Sequence, residues 1–370
     1  LLGIALSTSM ALSQGTVRWT GTTSTAWATA TNWAFVSGTP STPPGSADAV
    51  EIGTGAITSQ PTITTPTTIA SLTYGNAAAS TLTINGSLTV TGAITNTIAT
   101  TARIHNINLA SGDTLFAASA NLSPAVAAAN MTITFNGGAF IISGNFTAQP
   151  TTATTNIILT VGTGTFSVGG TTLQGATVAA ARNCDITVST GTLTFSGAYT
   201  KDGTGSDLTS SGAASVSFGG NVTNTRGTSF NLTGSTTTFT ATGLITPTVA
   251  MTLGTAVVNS GVTTSANSGT LTIGKLFVDG TASIGASTIT LNDTTSVNGT
   301  INITSATGTK TFIGNVSINS GGIWNNSGNE AIVLRRGLTH NGATFTSGTA
   351  AYTFNTNAQA INGSTAITFS

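Results

Sequence analysis

Hydrophobic and polar residues alternate with a period of two along most of this chain. The alternation is clearest from about Ala70 onward, in short runs such as Thr81-Leu82-Thr83-Ile84, and the runs are broken by Gly, Asn or Ser. A period of two places successive side chains on opposite sides of a β-strand, and no helical period persists in the sequence. The pattern therefore predicts an all-β chain of short strands, with aliphatic and aromatic residues on the buried side and Thr on the solvated side.

The predicted strands recur with a loose period in the low twenties. Gly197, Gly220 and Gly243 are equally spaced, whereas the interval from Gly144 to Gly170 is longer. A repeat of this length, built from two or three short strands and turns, is typical of one coil of a parallel β-solenoid. About 300 repetitive residues would give about 13 coils and, at a strand spacing of about 4.8 Å, a rod of about 60 Å.

Two consecutive β-sandwich domains are the alternative all-β architecture. They would place strands about 8–12 residues apart without long-range phasing. The phased glycines favour the solenoid.

Residues 14–70 differ from the rest of the chain. They contain Trp19, Trp27 and Trp33, which are three of the four tryptophans, and five of the eight prolines lie between positions 40 and 66. Proline lacks the N–H group that a strand interior needs, so this segment predicts loops and edge strands. We expect an N-terminal cap over residues 14–70 and solenoid repeats over residues 71–370.

The first thirteen residues resemble the later part of a secretory signal peptide. Residues 1–6 would form its apolar core, and Ala11-Leu12-Ser13 would be a small-x-small cleavage site. We expect residues 1–13 to be a signal-peptide remnant on a secreted protein, and the alternative is an ordinary apolar first strand.

Charge is scarce along the whole sequence. Only 5% of the 370 residues are charged, and nine basic residues balance nine acidic ones, whereas about a quarter of an ordinary domain is charged. A nucleic-acid partner needs a basic stripe, and none is available here. No apolar stretch approaches the roughly 18–20 residues of a membrane-spanning helix. We expect neither a nucleic-acid partner nor a membrane span.

The residues that carry chemistry are dispersed. His105 and His340 lie far apart in the sequence, and the single Cys184 excludes an internal disulfide. Asp185 and Asp207 are separated by nearly one repeat, so a two-carboxylate site there is an alternative. We otherwise expect no catalytic residues, no metal ligands and no cofactor, and hence a non-enzymatic protein.

Aromatic and amide side chains provide the remaining candidate sites. Trp19, Trp27 and Trp33 would either cap the open end of the solenoid or form a platform on which sugar rings stack. The asparagines that follow a glycine and precede an apolar residue would stack as a ladder at one corner; they are Asn145, Asn221 and Asn315.

Pairs of Thr separated by one residue occur throughout the repeats. They include Thr81/Thr83, Thr132/Thr134, Thr192/Thr194, Thr238/Thr240 and Thr288/Thr290. A flat Thr ladder on a solenoid organises water and binds ice, so an ice-binding solenoid is a minor alternative. The drifting repeat length counts against the regular coils that this function needs.

The N-terminal motifs carry a resemblance to a known group of proteins. Trp19-Thr-Gly, Trp27, Asn32-Trp33, Pro43-Pro44 and Asp48-Ala-Val-Glu-Ile52 resemble the start of large secreted surface proteins of Bacteroidota, in which Thr/Gly/Asn-rich β-helical repeats follow. The resemblance implies export to the cell surface or beyond and an adhesive or structural role. Such proteins usually carry a C-terminal sorting domain, which is not recognisable here, so we expect either a longer chain or a last strand that pairs with another copy.

These observations predict a secreted structural or adhesive surface protein that self-associates through its terminal strands, as the subunit of an extracellular filament would. The alternative is a carbohydrate-binding or carbohydrate-cleaving β-helix, with a glycan as its partner.

Overall fold

The computed structural model describes residues 14–152, 154–175, 183–226, 229–356 and 359–369. Within these ranges the chain forms a parallel β-solenoid of about 14 turns, with one short 3₁₀ helix and no α-helix. The prediction of an all-β solenoid is confirmed. The predicted signal-peptide remnant, residues 1–13, lies outside the described residues.

The solenoid is built from short strands, and the 3₁₀ helix Ala30–Asn32 lies between the first two of them. The first thirteen are β1 (Gly15–Trp19), β2 (Trp33–Gly38), β3 (Ala49–Ile52), β4 (Thr62–Ile63), β5 (Thr67–Ile69), β6 (Ser71–Tyr74), β7 (Ser80–Ile84), β8 (Leu88–Asn96), β9 (Ile104–Leu109), β10 (Thr114–Leu122), β11 (Asn130–Thr134), β12 (Ala139–Ile142) and β13 (Phe146–Ala148). The next thirteen are β14 (Asn156–Gly162), β15 (Thr165–Val168), β16 (Thr172–Gln174), β17 (Asn183–Val188), β18 (Thr192–Phe195), β19 (Tyr199–Asp202), β20 (Asp207–Ser210), β21 (Ser215–Phe218), β22 (Val222–Arg226), β23 (Ser229–Phe239), β24 (Gly243–Pro247), β25 (Met251–Val258) and β26 (Thr263–Ala266). The last are β27 (Thr270–Val278), β28 (Thr281–Ile284), β29 (Thr288–Leu291), β30 (Thr295–Val297), β31 (Thr300–Ile303), β32 (Lys310–Phe312), β33 (Val316–Ile318), β34 (Ile323–Asn325), β35 (Ile332–Leu334), β36 (Leu338–His340), β37 (Thr344–Thr346), β38 (Tyr352–Phe354) and β39 (Ile361–Asn362).

Parallel pairing between successive coils arranges these strands into three faces. Face I contains β4, β7, β9, β11, β14, β17, β20, the first parts of β23, β25 and β27, and then β29, β32, β35 and β38. Face II contains β5, the first parts of β8 and β10, β12, β15, β18, β21, the second parts of β23, β25 and β27, and then β30, β33, β36 and β39. Face III contains β1, β3, β6, the second parts of β8 and β10, β13, β16, β19, β22, β24, β26, β28, β31, β34 and β37.

Coil length varies, but the strands stay in register because the extra residues lie in the corners. Along face I a long coil leads from Leu159 to its partner Ile186, whereas a much shorter coil leads from Ile273 to its partner Leu291. Eight residues separate β16 from β17, whereas three separate β28 from β29. The loose period of the sequence therefore reflects corner loops of different length.

The core is a single column of apolar side chains that runs along the inside of the solenoid. The longer coils enclose aromatic residues: the Phe166 ring lies 5.7 Å from that of Phe140 and 5.1 Å from that of Phe146, centroid to centroid. The shorter coils enclose smaller side chains such as Ala256 and Ala282. The clustered aromatic rings therefore lie in longer coils, where there is more interior space to fill.

The periodic glycines lie at or directly beside the corner between faces II and III. They are Gly144, Gly170, Gly197, Gly220 and Gly243, one in each successive coil. A Cβ atom added to Gly197 or Gly243 would lie 2.4 or 2.6 Å from a carbonyl oxygen of the preceding coil. Glycine is needed here because the backbones of neighbouring coils approach too closely for a side chain.

The N-terminal cap closes one end of the rod. β1 pairs antiparallel with β2, so that Trp19 lies opposite Trp33, and pairs in parallel with β3 on its other side. β3 and β4 already pair with β6 and β7, so the coils begin at Ala49, inside the segment predicted as cap. The Pro-rich composition continues through the corners of the first coil. Composition alone therefore does not mark the residue at which pairing between coils starts.

Candidate functional site

One outward row of side chains on face I consists almost entirely of threonine. Its fourteen positions are consecutive partners in the register, and eleven of them are Thr. We call it the threonine row; its members are Thr62, Thr83, Asn108, Thr134, Thr160, Thr187, Thr209, Asn231, Thr252, Thr272, Thr290, Thr311, Val333 and Thr353. Each is at least partly exposed, and all but Thr353 lie between two buried neighbours in the sequence.

A second outward row runs beside the threonine row in the short coils. Thr270 and Thr288 are register partners and Thr309 directly precedes β32, so these three residues form a companion row two positions earlier in each strand. Within the described residues, the hydroxyl groups of Thr272, Thr290 and Thr311 make no hydrogen bond to the protein. This part of face I therefore presents a two-dimensional array of hydroxyl and methyl groups to solvent.

The Thr pairs of the sequence are divided between two faces. Thr81/Thr83, Thr132/Thr134 and Thr288/Thr290 lie on face I, whereas Thr192/Thr194 and Thr238/Thr240 lie at face II. The variable repeat length predicts an irregular Thr ladder, whereas the threonine row of the structure is aligned from coil to coil. The extra residues lie in corners and leave the row on face I in register.

The three predicted tryptophans pack together inside the cap. Their ring centroids are 6.1 Å apart for Trp19 and Trp27, 4.9 Å for Trp19 and Trp33, and 4.6 Å for Trp27 and Trp33. None of the three side chains is more than 7% exposed. Trp19 Nε1 donates to Ser59 O at 2.7 Å and Trp33 Nε1 donates to Trp27 O at 2.8 Å. The arrangement fits the cap interpretation and leaves no open aromatic face on which a sugar could stack.

The asparagines predicted to form one ladder lie at two different corners. Asn145 and Asn221 lie between faces II and III, three coils apart, whereas Asn315 lies between faces I and II. Each Oδ1 accepts a backbone N–H of the next coil, from Thr171 at 2.9 Å, Leu244 at 2.9 Å and Gly337 at 3.2 Å respectively. All three lie at corners, but they do not form the predicted ladder at one corner, because the residues one coil away are not asparagines.

Amide stacking does occur elsewhere on the outer surface. Asn325 Nδ2 donates to Asn302 Oδ1 at 2.9 Å, and Asn319 Nδ2 donates to Asn298 Oδ1 at 2.7 Å. These pairs connect adjacent coils near the C-terminal end. The recurring Gly-Asn motif does not predict them, because none of these four asparagines follows a glycine.

The two carboxylates singled out in the sequence are neighbours on face I. Asp185 and Asp207 lie in adjacent, paired strands, and the Asp207 N–H donates to Asp185 Oδ1 at 3.1 Å. Burial raises the pKa of Asp185 to about 6; the Asp207 N–H opposes this shift, and the Asp207 carboxylate adds to it. A carboxyl group that holds its proton to about pH 6 can act as a general acid.

Polar side chains line the inner corner next to these carboxylates. Gln174, Lys201 and Asn224 are consecutive partners on face III, and all three are buried. Gln174 Nε2 donates to Cys184 O at 2.6 Å, and Lys201 Nζ donates to Arg226 O at 3.0 Å. Their partners are backbone carbonyl groups of β17 and β22, which would otherwise lack these hydrogen bonds.

Burial governs the protonation of the groups at this corner. It lowers the pKa of Lys201 to about 8, an effect that Asp207 and Asp185 oppose, and it raises the pKa of the Cys184 thiol. Cys184 is fully buried and shares the inward side of β17 with Ile186 and Val188. The signal for Lys201 in the sequence is a lone Lys at an inward position of a strand.

The other buried polar groups have structural partners. His105 is fully buried, with Nδ1 2.7 Å from Ser80 Oγ and Nε2 2.9 Å from Gly75 O, and burial lowers its pKa to about 4. Lys310 Nζ lies 3.4 Å from Glu330 Oε2 and donates to the carbonyl oxygens of Thr307 and Gly308. These groups are closed off from solvent, so they offer no route for a substrate.

The last described coil contributes one strand to each face. Within the described residues, β37, β38 and β39 pair only with the preceding coil. Ile361 is 49% exposed and Phe369 is 39% exposed, and the Phe369 ring lies 5.0 Å from that of Tyr352. At the other end of the described residues, the three tryptophans are buried in the cap.

Metal ligands and membrane-spanning helices are not found in the part of the chain that the structure describes. No group of three or more His, Cys, Asp or Glu side chains there is placed to hold a metal ion. No helix in the ranges given for the fold is long and apolar enough to cross a membrane.

The chain matches no known protein-family profile, no curated protein and no solved structure. Its function must therefore be inferred from the geometry of its own surfaces.

Proposed function

We propose that the chain is a secreted structural or adhesive surface protein whose solenoid is a self-associating rod. The observation that carries the proposal is the strand pairing between coils: each strand from β6 to β36 pairs in parallel on both sides with strands of the neighbouring coils, and a further copy would add strands in the same way. An exposed strand edge is a template for pairing with another chain, and added strands bind mainly through backbone hydrogen bonds.

The outer surface of the rod favours such pairing. Natural proteins block strand edges with charges, especially Lys, and only 5% of this chain is charged. Uncharged residues, with threonine the most frequent, fill most positions of the outward rows, which repeat at about 4.8 Å from coil to coil, a distance at which like charges would repel. A long stack of coils is therefore free of the repulsion that would limit its length or its association.

The cap supplies a second edge at the other end of face III. β2 pairs only with β1 among the described residues, and its Phe35 side chain is 63% exposed. Face III thus ends in β37 at one end of the rod and is extended by β2 at the other. A second copy that docks β2 on β37 would continue this face from one rod to the next.

Two exposed isoleucines give a matched test of the proposal. Ile361 lies in β39 and is 49% exposed, whereas Ile104 lies in β9, within the rod, and is 52% exposed. Because both side chains are already half in water, Ile361→Lys and Ile104→Lys should fold equally well. We expect negative-stain electron microscopy to show end-to-end filaments for the wild type and for Ile104→Lys, and single rods for Ile361→Lys.

Isolated wild-type rods at all concentrations would contradict the proposed self-association. Filaments that survive Ile361→Lys would show that the C-terminal edge is not the site of contact. Circular dichroism melting curves of the two variants check that a loss of filaments does not come from a loss of folding.

Secretion and surface location rest on the sequence. The signal-like residues 1–13 and the resemblance to secreted surface proteins of Bacteroidota support them. A strand-stacked rod with so few charges agrees with such a role.

Carbohydrate cleavage is the second candidate, because Asp185 and Asp207 are adjacent and the pKa of Asp185 is raised to about 6. Glycosidases use two carboxyl groups, one of which keeps its proton near neutral pH. Release of reducing sugars from a polysaccharide panel, abolished by Asp185→Asn, would support this candidate over a purely structural role.

A further inference from the structure

We propose that the threonine array of face I, in the short coils, binds the surface of ice. The array consists of Thr272, Thr290 and Thr311 in the threonine row and Thr270, Thr288 and Thr309 in the companion row. This binding activity goes beyond the structural role proposed above and does not depend on self-association.

The spacing of the array is fixed by the sheet in two directions. Adjacent coils repeat at about 4.8 Å, and two positions along a strand span about 6.6 Å. Three residues separate β28 from β29 and six separate β31 from β32, but the strands stay in register, so the two rows run side by side. Water molecules in hexagonal ice repeat at comparable distances in two directions of a crystal face, and a flat array can therefore match many of them at once.

The chemistry of the array suits a neutral lattice of water. Each threonine presents a hydroxyl group, which donates and accepts hydrogen bonds, beside a methyl group. Among the described residues, the hydroxyl groups of Thr272, Thr290 and Thr311 have no hydrogen-bond partner in the protein, so they are available to the ligand. β-Branching restricts the rotation of the side chain, so little freedom is lost when the lattice binds.

Other faces and other ligands fit these observations less well. On face III the outward Asn302 and Asn325 bind each other, and on face II the outward row contains Phe277. A polysaccharide would need aromatic side chains to stack on its sugar rings, and both rows of the array are threonine throughout these coils. The ordered surface of ice is therefore the ligand to which the array is best matched.

Bulky substitutions in the array test the proposal. Thr272→Tyr and Thr290→Tyr, combined in one variant, place two large side chains in the threonine row at partly exposed positions. Thr200→Tyr with Thr223→Tyr is the matched control, because these residues are also register partners at partly exposed positions, but on face III. Thermal hysteresis and inhibition of ice recrystallisation are measured on the full chain, with melting curves to compare folding.

We expect the wild type and the face III control to show thermal hysteresis, and the face I variant to lose most of it, by fivefold or more. Absence of hysteresis and of ice shaping in the wild type would overturn the proposal, as would an equal loss in the control. Sedimentation of the wild type with cellulose or chitin that is lost in the face I variant, without any effect on ice, would assign the array to a polysaccharide instead. Rods that stay single but bind ice would support this proposal while contradicting the filament proposal.

Discussion

At the scale of single residues, the chain carries very few charges, and the structure shows how burial affects those at its polar corner. Asp185 carries a partly buried carboxyl group, and Lys201 is fully buried beside it with one carbonyl partner. Burial disfavours the charged form of each group, which raises the pKa of the acid and lowers that of the amine. Both groups therefore reduce the stability of the fold at neutral pH.

Asp185→Asn should stabilise the protein at neutral pH. The folded-state pKa of Asp185 is about 6 against an ordinary value of 3.8, so the folded state holds the proton more tightly and stability falls as the pH rises through this interval. One pKa unit corresponds to about 1.4 kcal/mol, and solvent screens a carboxyl group that is only partly buried. We therefore expect a gain of about 1 to 2 kcal/mol above pH 6 and almost none below pH 4.

Urea unfolding at pH 3.5 and pH 7 measures this difference, with Asp113→Asn as the control, because it removes a partly exposed carboxylate next to a turn. A loss of stability at pH 7 would mean that the ionised carboxylate is bound favourably, and the account of its burial would then be wrong.

At the scale of strands and coils, the volume of the inward side chains matches the length of the coil only in part. A cavity of about 40 Å³ lies inside the short coils, lined by apolar side chains that include Phe239, Ile273 and Ala282. Its walls include the short coil that leads from Ile273 to Leu291. The clustered aromatic residues of the longer coils have no counterpart there to fill the interior.

Ala282→Val should fill part of this cavity and stabilise the fold by about 0.5–2 kcal/mol. Ala117→Val is the matched control, because Ala117 is also an inward alanine of a strand but lies in a closed part of the core. Overpacking there should cost about 1–3 kcal/mol. Urea unfolding at fixed pH compares the two variants, and the same sign of change in both would contradict the described cavity.

The sequence was sufficient to predict the class of fold, but it was not sufficient to predict which residues share a face. Alternation predicted the strands, and the phased glycines predicted the coil, because Gly197 and Gly243 stand where coils approach within contact distance. Because the corner loops differ in length, the spacing along the sequence does not reveal that Thr272 aligns with Thr290. Which residues share a row depends on pairing between coils, and a single sequence with variable spacing does not specify that register.

At the scale of the whole molecule, the chain is a rod with two unlike ends. Fourteen positions in the threonine row correspond to a length of roughly 65 Å at the strand spacing. In the described residues, one end holds three buried tryptophans, and at the other end the rings of Tyr352 and Phe369 pack together. Such polarity favours head-to-tail contact, which produces open filaments when the rotation between copies does not close a ring.

Small-angle X-ray scattering over a concentration series tests the central claim, that this chain is a rod that grows from its ends. We predict that the mean mass rises above the 36.5 kDa of one chain with increasing concentration, while the cross-sectional radius of gyration stays constant. A constant mass of one chain at every concentration would contradict self-association, and a cross-section that widens with mass would show that the rods join by their faces rather than by their ends.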